Sequence, residues 1–331
     1  MPAIRPAALV KALIEAVYES DATAFLRSTP REHPRVFVIE TPSGSFELWV
    51  YAWTLTHGGR PSLPDEYRIQ MTSVASPLPL NPFGPTVLVG YEPNLKMFAG
   101  FDLARHKTFT QGSPSVQVDI RALHTALRDG MAFDRKTNKE IAVAFRPDQF
   151  LNYAFNSKDL HKYGKSTTTF DLFQKASSLQ EIEETDLATL PVDRRRVVST
   201  VSKLSRVANF RRKVTDAYAH RCAVTRMQLR LIDAAHIIPV GAPGSSDEVV
   251  NGLALSPTYH RAFDRCLIFL DETFIMRPND NAVTELVTLR LDGGLADFKR
   301  CLGKPIHLPA DRRQWPNKKL IRVANEARQV G

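Results

Sequence analysis

Alternating apolar and polar positions begin at residue 35 and predict an N-terminal region built mainly of β-strands. Between Phe46 and Trp53, one face of the alternation carries only Phe, Leu, Val and Ala. A period of two is typical of strands, and the Pro/Ser/Gly stretch at 41–45 predicts a hairpin turn before this one. Shorter runs of the same kind predict further strands at 66–72, 87–91, 96–102, 116–120 and 140–145. We therefore expect an open or barrel-like, mostly antiparallel β domain with a few helices.

Apolar residues spaced three or four apart predict helices before, within and after this region. Such spacing occurs at 4–28, 121–129 and 147–155, and again from Val197 to Phe210. In the last segment the apolar positions alternate with arginines and lysines along the chain. An amphipathic helix with one strongly basic side is therefore expected there.

A second pattern, strand then loop then strand then helix, covers residues 218–271. His236 ends the first strand and is followed by Ile237-Ile238-Pro239, and a Gly/Ser/Asp-rich loop leads to Asn251. Pro257 stands where a helix begins, because its missing N–H is not needed in the first helical turn. His260 and Asp264 follow four residues apart, which places them on one face of that helix.

This arrangement resembles the ββα-metal fold of the HNH nucleases, whose three letters fall on His236, Asn251 and His260. The flanks extend the resemblance, because residues 210–225 are similar to the lead-in helix and turn of HNH domains in restriction endonucleases. Residues 302–309 are similar to the tail of those domains. The resemblance covers roughly residues 206–327 and implies an α+β chain with a C-terminal nuclease domain.

The resemblance implies a role for each motif residue in hydrolysing a phosphodiester bond. His236 is expected to be the general base, since imidazole titrates near neutral pH. Asn251 is expected to pin the loop across the hairpin, and His260 to bind a divalent metal. Asp264 is a second metal ligand, an outer partner of a metal-bound water, or an acceptor within the helix. Mg²⁺ suits such a site, and imidazole also admits Mn²⁺, Co²⁺, Ni²⁺ or Zn²⁺.

One departure from the family concerns the residue before the base. Many HNH sites carry a metal-binding Asp or His there, whereas this chain has Ala235. The nearest acid is Asp233, at a spacing found in related non-specific ββα nucleases, and it is a further candidate for the metal. Positions three apart in an ideal strand face opposite ways, so cooperation between Asp233 and His236 is expected to need a β-bulge.

Composition and charge narrow the partners and the compartment. The chain has 331 residues, a formal net charge of +9 and three cysteines without a CxxC pair. Its length predicts two domains, and its charge favours a polyanion, although charge alone also allows an anionic membrane. No apolar run is long enough to span a bilayer, and the N-terminus is typical of an amphipathic helix rather than a signal peptide. We therefore expect reduced thiols, a cytoplasmic protein and no structural zinc ribbon.

Two groups of side chains are candidates for binding DNA. The aromatic side chains of the strand at 46–53 either belong to the core or line a pocket for a nucleobase. The basic side chains are either a solvated helix face or a track for phosphates beside the nuclease, and the second interpretation is preferred. The full set of candidates is Trp49, Tyr51, Trp53, Arg194, Arg195, Arg196, Arg211, Arg212, Lys213, Arg261 and Arg265.

These observations predict a DNA endonuclease of the restriction type acting on double-stranded DNA. Residues 1–165 are expected to be a β-rich target-recognition domain, 166–205 a linker with a basic helix, and 206–331 the HNH nuclease domain. One ββα site cuts one strand, so a homodimer is expected for a double-strand cut. Two alternatives stay open: an anti-phage effector nuclease whose N-terminal domain senses a small molecule or protein, and a catalytically silent DNA-binding protein on an HNH scaffold.

Overall fold

The computed structural model describes residues 3–110, 112 and 114–331 and divides into two compact units between Ala208 and Asn209. The helices of the first unit are α1 (Pro6–Glu19), α2 (Leu103–His106), α3 (Ile120–Asp129), α4 (Phe150–Tyr163), α5 (Thr167–Ser177), α6 (Glu184–Ala188) and most of α7 (Val192–Ala217). Its strands are β1 (Thr23–Leu26), β2 (Arg35–Thr41), β3 (Gly44–Thr54), β4 (Thr56–His57), β5 (Glu66–Gln70), β6 (Thr86–Glu92), β7 (Met97–Phe101), β8 (Ser115–Asp119), β9 (Met131–Arg135) and β10 (Ile141–Phe145).

Local sequence explains where these elements begin and end. The β2–β3 hairpin closes through Thr41 opposite Gly44, and Gly44 has a φ of +135°, a conformation that favours glycine. The Asp119 carboxylate accepts the backbone N–H of Arg121 and so caps the start of α3. Gly130, with a φ of +95°, ends the same helix.

The strands form an open sheet. Within the described residues, seven strands pair in the order β1-β2-β3-β6-β7-β10-β9, and β4-β5-β8 form a separate three-stranded sheet. The pairing is antiparallel except between β3 and β6, which run parallel. The sheet has free edges at β1 and β9, so the expected α+β class is observed but a barrel-like closure is not confirmed.

Both faces of the large sheet are covered, which explains why it stays open without exposing a core. Side chains from α1, α4, α5 and α7 pack on one face, with Val50, Phe98 and Phe145 of the sheet. Side chains from α3 and the small sheet pack on the other face, with Leu88 and Ala142. Burial on both faces requires nearly continuous apolar strands, and the central strands β7 and β10 are indeed buried at every position.

The segment 166–205, expected as a linker with a basic helix, is instead part of the first unit. It contains α5, α6 and the start of α7, and Phe173, Val198 and Val201 lie in the core of that unit. The apolar spacing of α7 predicted a buried stripe, but not which domain would receive it. The unit boundary therefore lies within α7 rather than in an extended linker.

The second unit contains the end of α7 followed by a small α+β domain. Its elements are β11 (Asp233–His236), β12 (Gly252–Leu255), α8 (Pro257–Asp264), β13 (Ile268–Leu270), β14 (Met276–Pro278), α9 (Asp280–Thr288), α10 (Leu295–Lys299) and α11 (Lys318–Arg328). The core joins Phe210 and Val214 of α7 to Leu253, Phe263 and apolar residues of α11. Gly252 is required where α7 crosses the hairpin, because a Cβ there would clash with Val214 and touch the Phe210 ring.

Candidate active site

The hairpin of β11 and β12 sets the direction of the candidate side chains. Its register is one to one, from Asp233 opposite Leu255 to His236 opposite Gly252, with no bulge. Because side chains alternate along a strand, Asp233 shares a face with Ala235, and His236 points to the other face. The hairpin therefore lacks the bulge that cooperation between Asp233 and His236 would need.

Asp233 contacts His260 rather than His236. The Nδ1 atom of His260 lies 3.2 Å from Oδ2 of Asp233, and its Nε2 atom lies 3.4 Å from Oδ2 of Asp264. The hydrogen bond with Asp233 raises the pKa of His260 above its usual value, and the charge of Asp264 adds to the rise while burial opposes it. Asp233 thus places a carboxylate on the face of β11 that also carries Ala235, the position where many HNH sites have an Asp or His.

The donor set around His260 fits a divalent cation that keeps most of its water. Within the described residues, no group of three or more His, Cys, Asp or Glu side chains is placed to hold a metal ion. One imidazole nitrogen with one carboxylate is a set of protein ligands that Mg²⁺ accepts when waters complete its shell. Because only one ring nitrogen of His260 can bind an ion, Asp233 beside Nδ1 and Asp264 beside Nε2 are alternative carboxylates for it.

His236 is held by two residues that the sequence pattern did not single out. Its Nε2 atom lies 3.2 Å from Oδ1 of Asp247, in the loop between the two strands. Its ring stacks on Phe210 of α7, with centroids 3.6 Å apart and planes inclined by 12°. The His236 side chain remains 15% exposed, so solvent reaches it. Phe210 belongs to the predicted apolar stripe of α7, and Asp247 to the predicted Asp-containing loop, but their contacts depend on the fold.

Asn251 closes the loop that carries Asp247. Its side chain is fully buried, and its Oδ1 atom accepts the backbone N–H of Ile238 at 2.9 Å. Its Nδ2 atom donates to the carbonyl oxygens of Ile238 and Ser246, at 3.1 and 2.9 Å. The backbone oxygen of Asn251 also accepts the N–H of Ile237 at 2.9 Å. These bonds fix the chain directly after His236, in agreement with the pinning role expected for this residue.

Replacing Asn251 by alanine is expected to destabilise the second unit by about 2–4 kcal/mol. The substitution removes three hydrogen bonds to the backbone of Ile238 and Ser246, each contributing about 1 kcal/mol, and leaves the buried Ile238 N–H without its acceptor. Urea unfolding followed by fluorescence measures the loss. Asn281→Ala, an exposed residue of α9, is the matched control and is expected to change stability by less than ~0.5 kcal/mol. Equal stability of the two variants would contradict the pinning role.

The basic candidates occupy both units. Arg261 and Arg265 are exposed on α8 and at its end, next to His260 and Asp264. Arg195, Arg196 and Lys213 are also exposed on α7. The remaining basic candidates are partly covered: Arg194, which lies over the Tyr163 ring at 5.8 Å, Arg211 and Arg212.

The aromatic candidates of β3 belong mainly to the first unit's interior. Tyr51 is fully buried, and its hydroxyl donates to the Pro79 carbonyl at 2.8 Å. Trp53 stacks on His33 with ring centroids 4.3 Å apart, and the Trp49 indole N–H donates to Glu47 at 2.7 Å. Tyr51 therefore has no free face for a base, as the core interpretation of this strand predicts.

Comparisons with known proteins agree with the resemblance. Residues 222–271 match the family model described as HNH endonuclease, and residues 46–154 match the model described as Methylase-associated X1. No curated protein matches the chain. A solved structure described as "Modification dependent TagI restriction endonuclease" aligns with 13% identity and a TM-score of 0.28, over 85% of this chain and 80% of that one. A similarity this low says nothing about the activity of this chain.

Two further observations bear on the expected class of protein. No helix in the described part of the chain is long and apolar enough to cross a membrane. All three cysteines are free thiols, with Cys222 buried. With the motif residues on a β-hairpin and its following helix and a family match over the same segment, residues 222–271 are similar to the HNH endonucleases.

Proposed function

We propose that this protein is a metal-dependent DNA endonuclease of the restriction type. The observation that carries the proposal is the paired arrangement of the two histidines. His236 is oriented by Asp247 and Phe210 on one side of β11, and His260 is bracketed by Asp233 and Asp264 on the other. Hydrolysis of a phosphodiester requires a proton acceptor and a cation, and we propose that His236 supplies the first and His260 binds the second.

His236 is the general base in this proposal. A neutral imidazole that donates its Nε2–H to the Asp247 carboxylate keeps a lone pair on Nδ1. That lone pair can take the proton of an attacking water, and the Asp247 carboxylate stabilises the imidazolium that results. Stacking on Phe210 keeps the ring from rotating away. Asn251 contributes by fixing the backbone that follows the base.

His260 would hold the divalent ion, which we propose to be Mg²⁺, together with Asp233 beside its Nδ1 atom or, as the alternative, Asp264 beside its Nε2 atom. The bound ion would neutralise charge on the phosphate oxygens and on the leaving 3′ oxygen. The absence of an acid directly before His236 was the argument against a catalytic site. Asp233 removes this argument, because it supplies a carboxylate on the face where Ala235 has none. This contact favours a nuclease over a silent DNA-binding scaffold.

The exposed arginines Arg261 and Arg265 are proposed to grip the phosphates of the strand being cut. The basic side chains of α7 are proposed as further phosphate contacts, since each such contact releases condensed counterions. Because one site cuts one strand, we propose that a homodimer makes the double-strand cut.

The first unit is proposed to choose the target. Its match to a family described as methylase-associated supports a restriction context, in which base modification decides whether DNA is cut. The proposal that the first unit chooses the target and the second unit cuts it covers three modes of control. The first unit reads an unmodified sequence, reads a modified base, or releases the nuclease in response to a separate signal.

Cleavage of matched plasmids tests the proposal. One plasmid is unmodified and the other carries methylated cytosines or adenines, and both are incubated with Mg²⁺ and with Mn²⁺. Discrete fragments from only one plasmid are the expected result. Smearing of both plasmids would instead favour an indiscriminate effector nuclease, and binding without cutting under every condition would contradict the nuclease.

A further inference from the structure

The first unit contains a cavity of about 730 Å³ that the nuclease chemistry does not use. Its walls come from three stretches of chain: the loop at 80–87, the segment from Phe101 to Lys107, and the C-terminal half of α4 up to Lys165. The volume falls within the roughly 300–1,000 Å³ typical of small-molecule sites. All of these stretches belong to the unit that ends at Ala208.

One part of the lining is apolar and aromatic. Phe101 and Tyr153 are almost fully buried, Leu80 and Leu103 are at least partly exposed, and Phe155 is 56% exposed. Among the described residues that line this cavity, only Phe155 presents an exposed aromatic ring, and stacking of a base on such a ring contributes about 1–3 kcal/mol.

A second part of the lining is cationic. Lys107, Lys158, Lys162 and Lys165 all border the cavity. Lys158 and Lys162 are one helical turn apart on α4 and exposed, and Lys165 follows just after the helix. No carboxylate within the described residues forms an ion pair with Lys107 or Lys158, so these two ammonium groups can receive an anion. Clustered lysines beside an apolar wall fit a ligand that carries a phosphate on an apolar body.

Buried polar groups complete the lining. The Asp102 carboxylate is 4% exposed, and its Oδ2 atom lies 2.8 Å from the Lys165 ammonium. Burial acts to raise the pKa of Asp102, but the Lys165 ammonium and the Arg105 backbone N–H hold it below the usual value. The group is therefore a buried carboxylate that fixes the Lys165 ammonium at the border of the cavity.

His161 stands beside this carboxylate as a neutral group. Burial lowers the pKa of His161 to about 4, and its Nε2 atom accepts the Tyr153 hydroxyl at 2.9 Å. Its Nδ1–H donates to the Ile141 carbonyl at 3.1 Å.

We propose that this cavity binds a nucleotide, with the base against Phe155 and the phosphate on Lys107 and Lys158. The same chemistry is offered by a free mononucleotide and by a nucleotide turned out of a DNA duplex. Phe83 favours a nucleotide that is turned out of a DNA duplex. Its side chain is 95% exposed, on the loop between the cavity residues Asn81 and Gly84. An exposed Phe beside a base pocket can fill the gap that a displaced base leaves in the stack.

Equilibrium binding to the full chain tests this inference. All variants carry His236→Ala and are measured without divalent metal, so the result does not depend on cleavage. The inference rests on the proposed function only where it connects nucleotide binding to the choice of the DNA target. The probes are deoxynucleoside 5′-monophosphates and short labelled duplexes that are unmodified, cytosine-methylated or adenine-methylated. Lys158→Ala removes a phosphate contact, and Ala104→Trp fills the cavity from the exposed side of α2. Lys11→Ala, an exposed lysine of α1, is the control.

Lys158→Ala is expected to weaken nucleotide binding about ten-fold, Ala104→Trp at least as much, and Lys11→Ala not at all. If mononucleotides bind, and bind more weakly to Lys158→Ala and Ala104→Trp, the ligand is a free mononucleotide. Binding of one methylated duplex in preference to the unmodified one, lost in the same variants and weakened by Phe83→Ala, identifies a nucleotide turned out of DNA. The inference is overturned when no probe binds, or when binding is the same in Lys158→Ala, Ala104→Trp and Lys11→Ala. Folding of each variant is checked by circular dichroism.

Discussion

His236→Ala is expected to lower the rate of DNA cleavage by about 10²–10⁴-fold while leaving DNA binding intact. The loss is large because a positioned general base contributes that factor to a proton transfer. The measurement is single-turnover cleavage at saturating protein, which separates chemistry from binding.

His220→Ala is the matched control for that experiment. His220 belongs to the same unit, is 62% exposed and pairs with Asp216 at 3.1 Å, as His236 pairs with Asp247. We expect cleavage by this variant to match the unsubstituted protein. A His236→Ala protein that is folded and cuts at an unchanged rate would remove the base from the mechanism. The cleavage rate of Asp247→Asn is expected to lie between those of His236→Ala and His220→Ala. This substitution weakens the contact that orients the His236 ring but keeps the imidazole.

Asp233→Asn is expected to raise the Mg²⁺ concentration needed for half-maximal cleavage by about 10–100-fold. An amide oxygen is neutral, so the site loses one of the charges that compensate the ion, and partners of a metal ligand typically affect affinity by this factor. The second readout is the shift of the melting temperature on adding Mg²⁺, which follows from ion binding to the folded state and needs no cleavage. In Asp233→Asn, both the cleavage at a given Mg²⁺ concentration and the Mg²⁺-induced shift of the melting temperature are expected to decrease.

Asp216→Asn and Asp264→Asn complete this series. Asp216 makes the same kind of contact with a histidine, at the distant His220, and its substitution is expected to leave the metal response unchanged. Asp264 is 56% exposed and lies 3.4 Å from His260, slightly farther than Asp233, so a smaller effect is expected. A full loss in Asp264→Asn with none in Asp233→Asn would place the ion on the other side of His260.

Much of the fold was accessible from local sequence. The alternation after residue 35 located β2 and β3, and the shorter apolar runs located β5, β6, β7, β8 and β10 within a few residues. Strands β1, β4 and β9 were missed, because none shows a clear alternation, and the helix expected over 4–28 was wrong at β1. The parallel pairing of β3 with β6 and the open edges of the sheet could not be read from periodicity, since a period of two describes one strand and not its neighbours.

The sequence by itself determined the nuclease motif and the residues at its centre. His236, Asn251 and His260 were identified by order and spacing, because a hairpin and a helix that follow each other directly leave little freedom for where these positions lie. The tertiary structure decided what each one touches. Asp233 reaches His260 because the hairpin has no bulge, and Phe210 covers His236 because α7 crosses at Gly252. Such contacts join segments far apart along the chain, and only packing sets their distances.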